Sequence, residues 1–311
     1  MSTAPASPSR ASRVDPWLLA SLAAVYLIWS TTYLAIRVAV QTLPPFLTAG
    51  VRYLAAGSVL MGIARIRGEK LPPARAWAAS AVVALLFFVV GNGFVAVASV
   101  QIGSGVVAVV CATMPLWGAV MMPLVGERVS AREWVGLGVG FLGVVVLALG
   151  GDLHADATSA GLLLLAPIGW ALGSVLVRKL AVGKGVMGSA MQMVSGGALT
   201  LVVSRLRGEP IPDHVAPEAA LAVIYLASLG SLVGITAYNY LLVHARPALA
   251  MSYAYVNPVL AVVIGAWVGH ETISYRVGLA ILLILPAVFA IVARPRGDGA
   301  KPPVVTSRVE T

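Results

Sequence analysis

Ten apolar runs follow one another along this chain, at 17–40, 46–66, 76–99, 104–125, 134–150, 160–178, 186–204, 218–243, 248–268 and 276–293. Each is long enough, or nearly so, for the about 20 residues that cross a hydrocarbon core of roughly 30 Å. The first run passes through Val25, Trp29 and Leu34 without a polar break, too long for the roughly 7 to 15 apolar residues of a signal peptide. No run alternates with period two, so the expected spans are helices that satisfy their own backbone hydrogen bonds. Only 11% of residues are charged, against about 25% in soluble domains, too few to coat a water-soluble fold of 311 residues. The single cysteine, Cys111, excludes a disulfide framework within the chain, and four scattered histidines suggest no metal centre, so no cofactor is expected.

The net charge of +9 would suit a nucleic-acid partner, but its placement reads otherwise. With the N-terminus inside, all of the 21 Lys and Arg except Arg37, Arg52, Arg205, Arg207 and Arg276 fall on the cytoplasmic side. That asymmetry orients ten helices with both termini cytoplasmic, so the expected partner is the lipid bilayer and no nucleic acid is needed.

The chain also repeats itself. Arg65, Arg67, Gly68 and Glu69 recur as Arg205, Arg207, Gly208 and Glu209, a shift of 140. Trp29 and Arg37 recur as Trp170 and Arg178 at 141, Pro115 as Pro258 at 143, and Glu127, Ser130 and Arg132 as Glu271, Ser274 and Arg276 at 144. Each half, 17–151 and 160–294, therefore holds five spans between an arm at 1–16 and a tail at 295–311. Five is odd, so the second half must enter the membrane upside down. The expected fold is an all-α membrane protein of ten transmembrane helices in two inverted five-helix repeats, the build of many secondary transporters, with a site at mid-membrane between the halves.

Trp29, Pro115, Trp170 and Pro258 fall within about two helical turns of the bilayer centre. A mid-helix proline frees the carbonyl four residues earlier, here those of Cys111 and Ala254; either it only shapes packing or the carbonyl lines an aqueous cavity. Trp29 and Trp170 are too deep for an interfacial belt and are core packing or cavity wall. Tyr253 and Tyr255 flank Ala254. All three asparagines, Asn92, Asn239 and Asn257, lie in apolar runs, where helix-to-helix hydrogen bonding is the ordinary role. Asn92 stands between Gly91 and Gly93, and Asn257 precedes Pro258, which makes these two the candidates for substrate contact.

Arg52 is the one cation well inside a span, about 9 Å from its outer end. It either snorkels outward or meets a carboxylate, carbonyl groups or an anionic ligand. Its repeat mate is Gln192, also polar and embedded. All twelve Asp and Glu fall in loops, tails or segment ends, so no membrane-embedded carboxylate is on offer to carry a proton. A zwitterionic or anionic substrate met by Arg52 fits that distribution. His244 and His270 lie near segment ends. Gly138, Gly140 and Gly143 spell G-x-G-x-x-G without the strand that a dinucleotide site requires, and Gly136 and Gly140 permit close helix packing. No P-loop, nucleophile elbow or H-E-x-x-H is present, so no enzyme is expected.

Several segments together carry a resemblance. They are Trp29-Ser30-Thr31-Thr32-Tyr33 with Ile36-Arg37, Ala49-Gly50-Val51-Arg52-Tyr53-Leu54-Ala55-Ala56-Gly57, Gly91-Asn92-Gly93, Ala112-Thr113-Met114-Pro115-Leu116, Gly126-Glu127, and Ser252-Tyr253-Ala254-Tyr255-Val256-Asn257-Pro258-Val259. The chain resembles a bacterial member of the drug/metabolite transporter superfamily, EamA family. The resemblance covers roughly 17–293 and implies a basket of ten helices around a central cavity, exporting amino acids or other small metabolites. It departs at Ser99, where related sequences often carry an acidic residue. The expectation is an inner-membrane exporter working by alternating access, monomeric with a dimer as the alternative. Its expected substrate contacts are Arg52, Asn92, Asn257, Trp29, Trp170, Tyr253 and Gln192, and its bending points Pro115 and Pro258. A multidrug exporter, or a membrane-embedded sensor or structural component without flux, are the competing readings.

Overall fold

A computed structural model describes residues 15–127, 129–148, 156–260 and 275–292, and every regular element among them is a helix. α1 (Pro16–Val40) starts at Asp15, whose carboxylate accepts from the Trp17 N–H at 3.0 Å, and α2 (Pro45–Ile66) follows a four-residue turn. The third span joins α3 (Ala74–Ala84), a π-helical segment (Leu85–Gly93) and α4 (Phe94–Ala98). The fourth joins α5 (Ser104–Cys111) to α6 (Met114–Met121), and α7 (Ala131–Ala148) follows. In the second half come α8 (Ala157–Lys179), α9 (Gly185–Leu206), and α10 (Pro217–Tyr225) joined through a second π-helical segment (Leu226–Val233) to α11 (Gly234–His244). Then come α12 (Pro247–Met251), α13 (253–260) and α14 (Tyr275–Val292). Among the described residues seven helical runs are long and apolar enough to cross a membrane, which makes this an all-α, multi-pass membrane fold. His270, most of both termini and the far part of the run 248–268 lie outside the described residues.

The repeated sequence produces repeated geometry. At the end of α2 the Gly68 N–H donates to the Arg65 carbonyl and the Glu69 N–H to Ala64; at the end of α9 Gly208 and Glu209 donate to Arg205 and Ser204. Both glycines are left-handed, at φ 82° and 68°, so each Arg-x-Arg-Gly-Glu closes its helix as the same Schellman turn. A Cβ on Gly208 would meet nothing within 4 Å, so Gly208→Ala isolates the backbone cost. That substitution is expected to lower stability by about 1 kcal/mol, read in a reversible SDS or urea titration. The two π-helical segments also begin at repeat-equivalent positions, Leu85 and Leu226.

The mates pack against each other. Gly50 lies on Leu201, Leu54 on Gly197, and Gly57 on Val194, so numbering rises along α2 as it falls along α9. Two copies of one sequence element thus cross antiparallel, with glycines letting the backbones approach. α7 packs on its mate α14, while α1 packs on the α10–α11 span and α8 on the α3–α4 span, each taking the other's mate as partner. Gly140 of the GxxxG pair lies against Tyr255 and Ala287, so the motif serves internal packing.

Polar contacts sort the loops into two faces. On one, Glu127 pairs with Arg178 at 2.7 Å, Glu133 with Arg246 at 3.1 Å, and Asp15 accepts from the Tyr240 hydroxyl at 2.7 Å. On the other, the Glu209 carboxylate accepts from the Phe46 and Leu47 N–H groups at 3.1 and 2.8 Å, capping α2 from across the molecule. On that face, too, Gln101 accepts from the Asp156 N–H at 3.2 Å. Asp156 is the N-cap of α8; hydrogen bonds from the Ser159 N–H and hydroxyl hold its carboxyl below the ordinary value of 3.8.

Candidate functional site

Arg52 points inward. About two turns into α2, it is 5% exposed, and its Nη2 donates to Asn92 Oδ1 at 2.7 Å and to the Tyr53 hydroxyl. Its guanidinium also lies 4.3 Å from the Tyr53 ring centroid, a cation–π contact. Among the described residues the two ion pairs use other cations, so Arg52 sits in the fold without a carboxylate partner. A cation held at depth that way costs roughly 2.5–3.5 kcal/mol on insertion scales.

The cavity beside it is narrow, about 60 Å³, and lies nearer the face that carries the turn between α1 and α2. α1 contributes Trp29, Thr32, Tyr33 and Ile36; the first π-helical segment contributes Gly91 and Asn92; α8 contributes Pro167 and Trp170. Asn92 reaches Arg52 because the π-helical segment widens the third span where Gly91 and Gly93 flank it. A Cβ on Gly91 would come within 2.8 Å of the Trp170 ring, and one on Gly93 within 2.6 Å of Phe46.

An aromatic cluster closes the cavity toward the ion-paired face. Trp29 meets Trp170 edge-on at 5.5 Å, Tyr253 at 4.8 Å and Tyr238 at 5.1 Å between centroids, and Phe87 lies 4.7 Å from Trp170. Each such pair is worth about 0.5–1.5 kcal/mol beyond burial. The Trp29 indole N–H donates to the Gly230 carbonyl at 3.0 Å, tying α1 to the second π-helical segment. The Tyr253 hydroxyl donates to Met114 Sδ at 3.4 Å, and the Tyr238 and Ser174 hydroxyls are 2.8 Å apart.

Of the expected residues, Arg52, Asn92, Trp29, Trp170 and Tyr253 thus meet around one cavity, whereas Gln192 and Asn257 do not line it. Gln192 accepts from Asn239 Nδ2 at 3.2 Å, and Asn239 also donates to Ser189 at 3.0 Å, joining α9 to α11. Asn257, with its amide turned as its neighbours dictate, donates to the carbonyls of Tyr253 and Tyr26 at 3.1 and 3.2 Å. Both therefore act in helix-to-helix bonding. Pro115 does not interrupt a continuous helix: the chain turns at Ala112 and Thr113, and Pro115 enters the first turn of α6, where its missing N–H costs nothing. Pro258 lies within α13, after a turn at Ser252.

Tyr53, Tyr238 and Pro167 were not among the expected site residues. A proline inside the long α8 run was a visible signal for the last. Cys111 and Thr32 also border the cavity.

With this arrangement in view, the comparisons with known proteins are direct. The EamA-like transporter family matches residues 16–149 and again 158–293. The uncharacterized inner membrane transporter YedA of Escherichia coli (strain K12) is 41% identical over 92% of this chain and 94% of its own length. Protein PecM of Dickeya dadantii (strain 3937) is 28% identical over 85% and 88%, and the uncharacterized transporter YvbV of Bacillus subtilis (strain 168) is 24% identical over 90% and 92%. A crystal structure at 21% identity aligns with a TM-score of 0.73 over 90% of this chain and 98% of that one, which shows a shared fold. The chain belongs to the EamA-like transporter family, as a multi-pass secondary transporter.

Proposed function

We propose that this protein exports a small zwitterionic metabolite, an amino acid or a near relative, across the inner membrane by alternating access. Two inverted five-helix repeats, 17–151 and 160–294, form ten spans, with the arm 1–16 and the tail 295–311 on the cytoplasmic side. The antiparallel crossing of α2 and α9 supports the inversion. The observation that carries the substrate reading is Arg52, buried without a carboxylate beside a cavity walled by aromatic rings. Arg52 takes the substrate carboxylate with Asn92 beside it, and the faces of Trp29, Trp170 and Tyr253 suit an ammonium group by cation–π attraction.

Counterflow tests this. Proteoliposomes preloaded with a neutral amino acid are expected to take up the labelled compound faster than protein-free vesicles, with saturation. The aromatic cluster favours one second reading, a multidrug exporter, for which lipophilic compounds and not amino acids exchange.

In the described conformation the cavity lies toward the outer face while Glu127–Arg178 and Glu133–Arg246 clasp the cytoplasmic one. Arg178 also donates to the Ala245 carbonyl at 3.2 Å, so one side chain joins α8, the segment after α6 and the end of α11. Its pair with Glu127 is partly exposed, at 22% and 32%, and is worth up to about 1 kcal/mol. Glu127→Gln is therefore expected to shift the balance of states inward by up to about fivefold. Labelling of Cys111 by a water-soluble methanethiosulfonate should slow; an unchanged or faster rate counts against the clasp.

A further inference from the structure

The loop that joins α2 to α3 and the loop that joins α9 to α10 are copies of one sequence element with one backbone turn, yet they differ in charge. Between residues 65 and 75 stand Arg65, Arg67, Lys70 and Arg75 with a single acid, Glu69; between 205 and 215 stand Arg205 and Arg207 with two acids, Glu209 and Asp213. All four cations of the first loop are exposed, and among the described residues neither ion pair uses them. Arg65 donates to the Glu69 carbonyl at 3.0 Å, a neutral partner. In the second loop Arg207 already lies 5.7 Å over the Phe46 ring.

Both loops also hold out an apolar pair. Ile66 is 88% exposed and Leu71 57%, and their mates Leu206 and Ile211 are 82% and 67% exposed. α2 and α9 have 22 residues each, about 33 Å of helix, so the last turn of each lies where a hydrocarbon core of roughly 30 Å gives way to headgroups. Apolar side chains held there enter lipid and not water, which makes the membrane itself the occupant of this surface, and cations beside them lie level with the phosphates. A zwitterionic headgroup brings no net charge to meet them; an anionic one does, and the arginine forks take phosphate oxygens in pairs. We infer that the α2–α3 loop is a binding surface for anionic phospholipid, with Ile66 and Leu71 among the acyl chains and Arg65, Arg67, Lys70 and Arg75 on the headgroup phosphates. The α9–α10 loop, balanced in charge, sits in its own leaflet without that preference. The inference does not depend on what the central cavity carries.

The test uses the purified full chain in nanodiscs of phosphatidylcholine with increasing phosphatidylglycerol. Phosphatidylglycerol is expected to raise the thermal unfolding midpoint saturably, and the effect should shrink at high salt. Each cation near an anionic surface is worth about fivefold in binding, so Lys70→Gln with Arg75→Gln should weaken the apparent phosphatidylglycerol affinity by at least about tenfold. Arg205→Gln with Arg207→Gln should leave it near that of the parent. Native mass spectrometry, reading retention of phosphatidylglycerol over phosphatidylcholine, gives the same comparison for a variant too unstable to melt. A midpoint that ignores phosphatidylglycerol, or equal losses in the two double variants, would overturn the site. Soluble glycerol phosphate in phosphatidylcholine nanodiscs should leave the midpoint where it was; a shift equal to that of the lipid would mean a free-phosphate site and would overturn the lipid reading. Amino acid counterflow and the phosphatidylglycerol response can each fail without the other.

Discussion

Arg52→Ala is expected to lower amino acid counterflow by at least about tenfold, because a hydrogen bond to a charged partner is worth about 1.5–3 kcal/mol. The same substitution strips the Asn92 Oδ1 and the Tyr53 hydroxyl of their donor, so folding has to be read separately. Arg52→Gln, which still donates, serves that purpose: it should unfold near the parent midpoint while counterflow stays low. Arg52→Lys keeps the charge and loses the fork geometry, and should recover part of the rate. Full counterflow in a folded Arg52→Ala protein would remove the carboxylate role and favour the multidrug reading. In that case Trp29→Ala or Trp170→Ala should do the greater damage, since both rings line the cavity.

The largest loss of stability is expected from Gly197→Leu. A Cβ at Gly197 would lie 2.5 Å from the Leu54 nitrogen, 2.8 Å from its Cα and 2.9 Å from the Gly50 carbonyl oxygen, all backbone atoms that cannot swing away. Overpacking of this kind costs about 1–3 kcal/mol where side chains can adjust, and here they cannot. Gly197→Ala should already cost about 2 kcal/mol, and Gly197→Leu should separate α2 from α9. Gly62 is the control: it lies on α2 with nothing within 4 Å of its built Cβ, so Gly62→Ala is expected to be neutral or slightly stabilising. Equal SDS unfolding curves for Gly197→Ala and Gly62→Ala would refute the tight crossing.

Seven of the ten expected spans stand among the described residues, legible because lipid imposes long apolar runs, and the repeat was legible because a duplicated loop motif survives as letters. The antiparallel packing of mates followed from an odd number of spans. The site was legible only in part, and Arg52 and Gln192 show why. They are mates in the repeat, but mates on α2 and α9, which cross antiparallel, need not face the same space. Trp29 and Trp170 meet and share the cavity, while Arg52 faces the cavity and Gln192 faces α11. Asn92 could be found from its flanking glycines; Asn257 looked equivalent because its backbone partners come from α1 and α13, which no local pattern reveals. The break before Pro115 was hidden for a related reason: a proline fits the start of a helix as well as its middle, and the letters around it do not say which.

The twin Schellman turns also bear on how such a chain knows which way up to insert. Arg65 and Arg67 end α2 at one face and Arg205 and Arg207 end α9 at the other, so the duplicated motif places equal positive charge on both sides and gives the insertion machinery no preference. The vote is cast by cations whose counterparts in the other half are uncharged, among them Lys70, Arg75, Arg128, Lys179, Lys184 and Arg246. Those uncopied charges, and not the duplicated motif, tip the chain toward one way up.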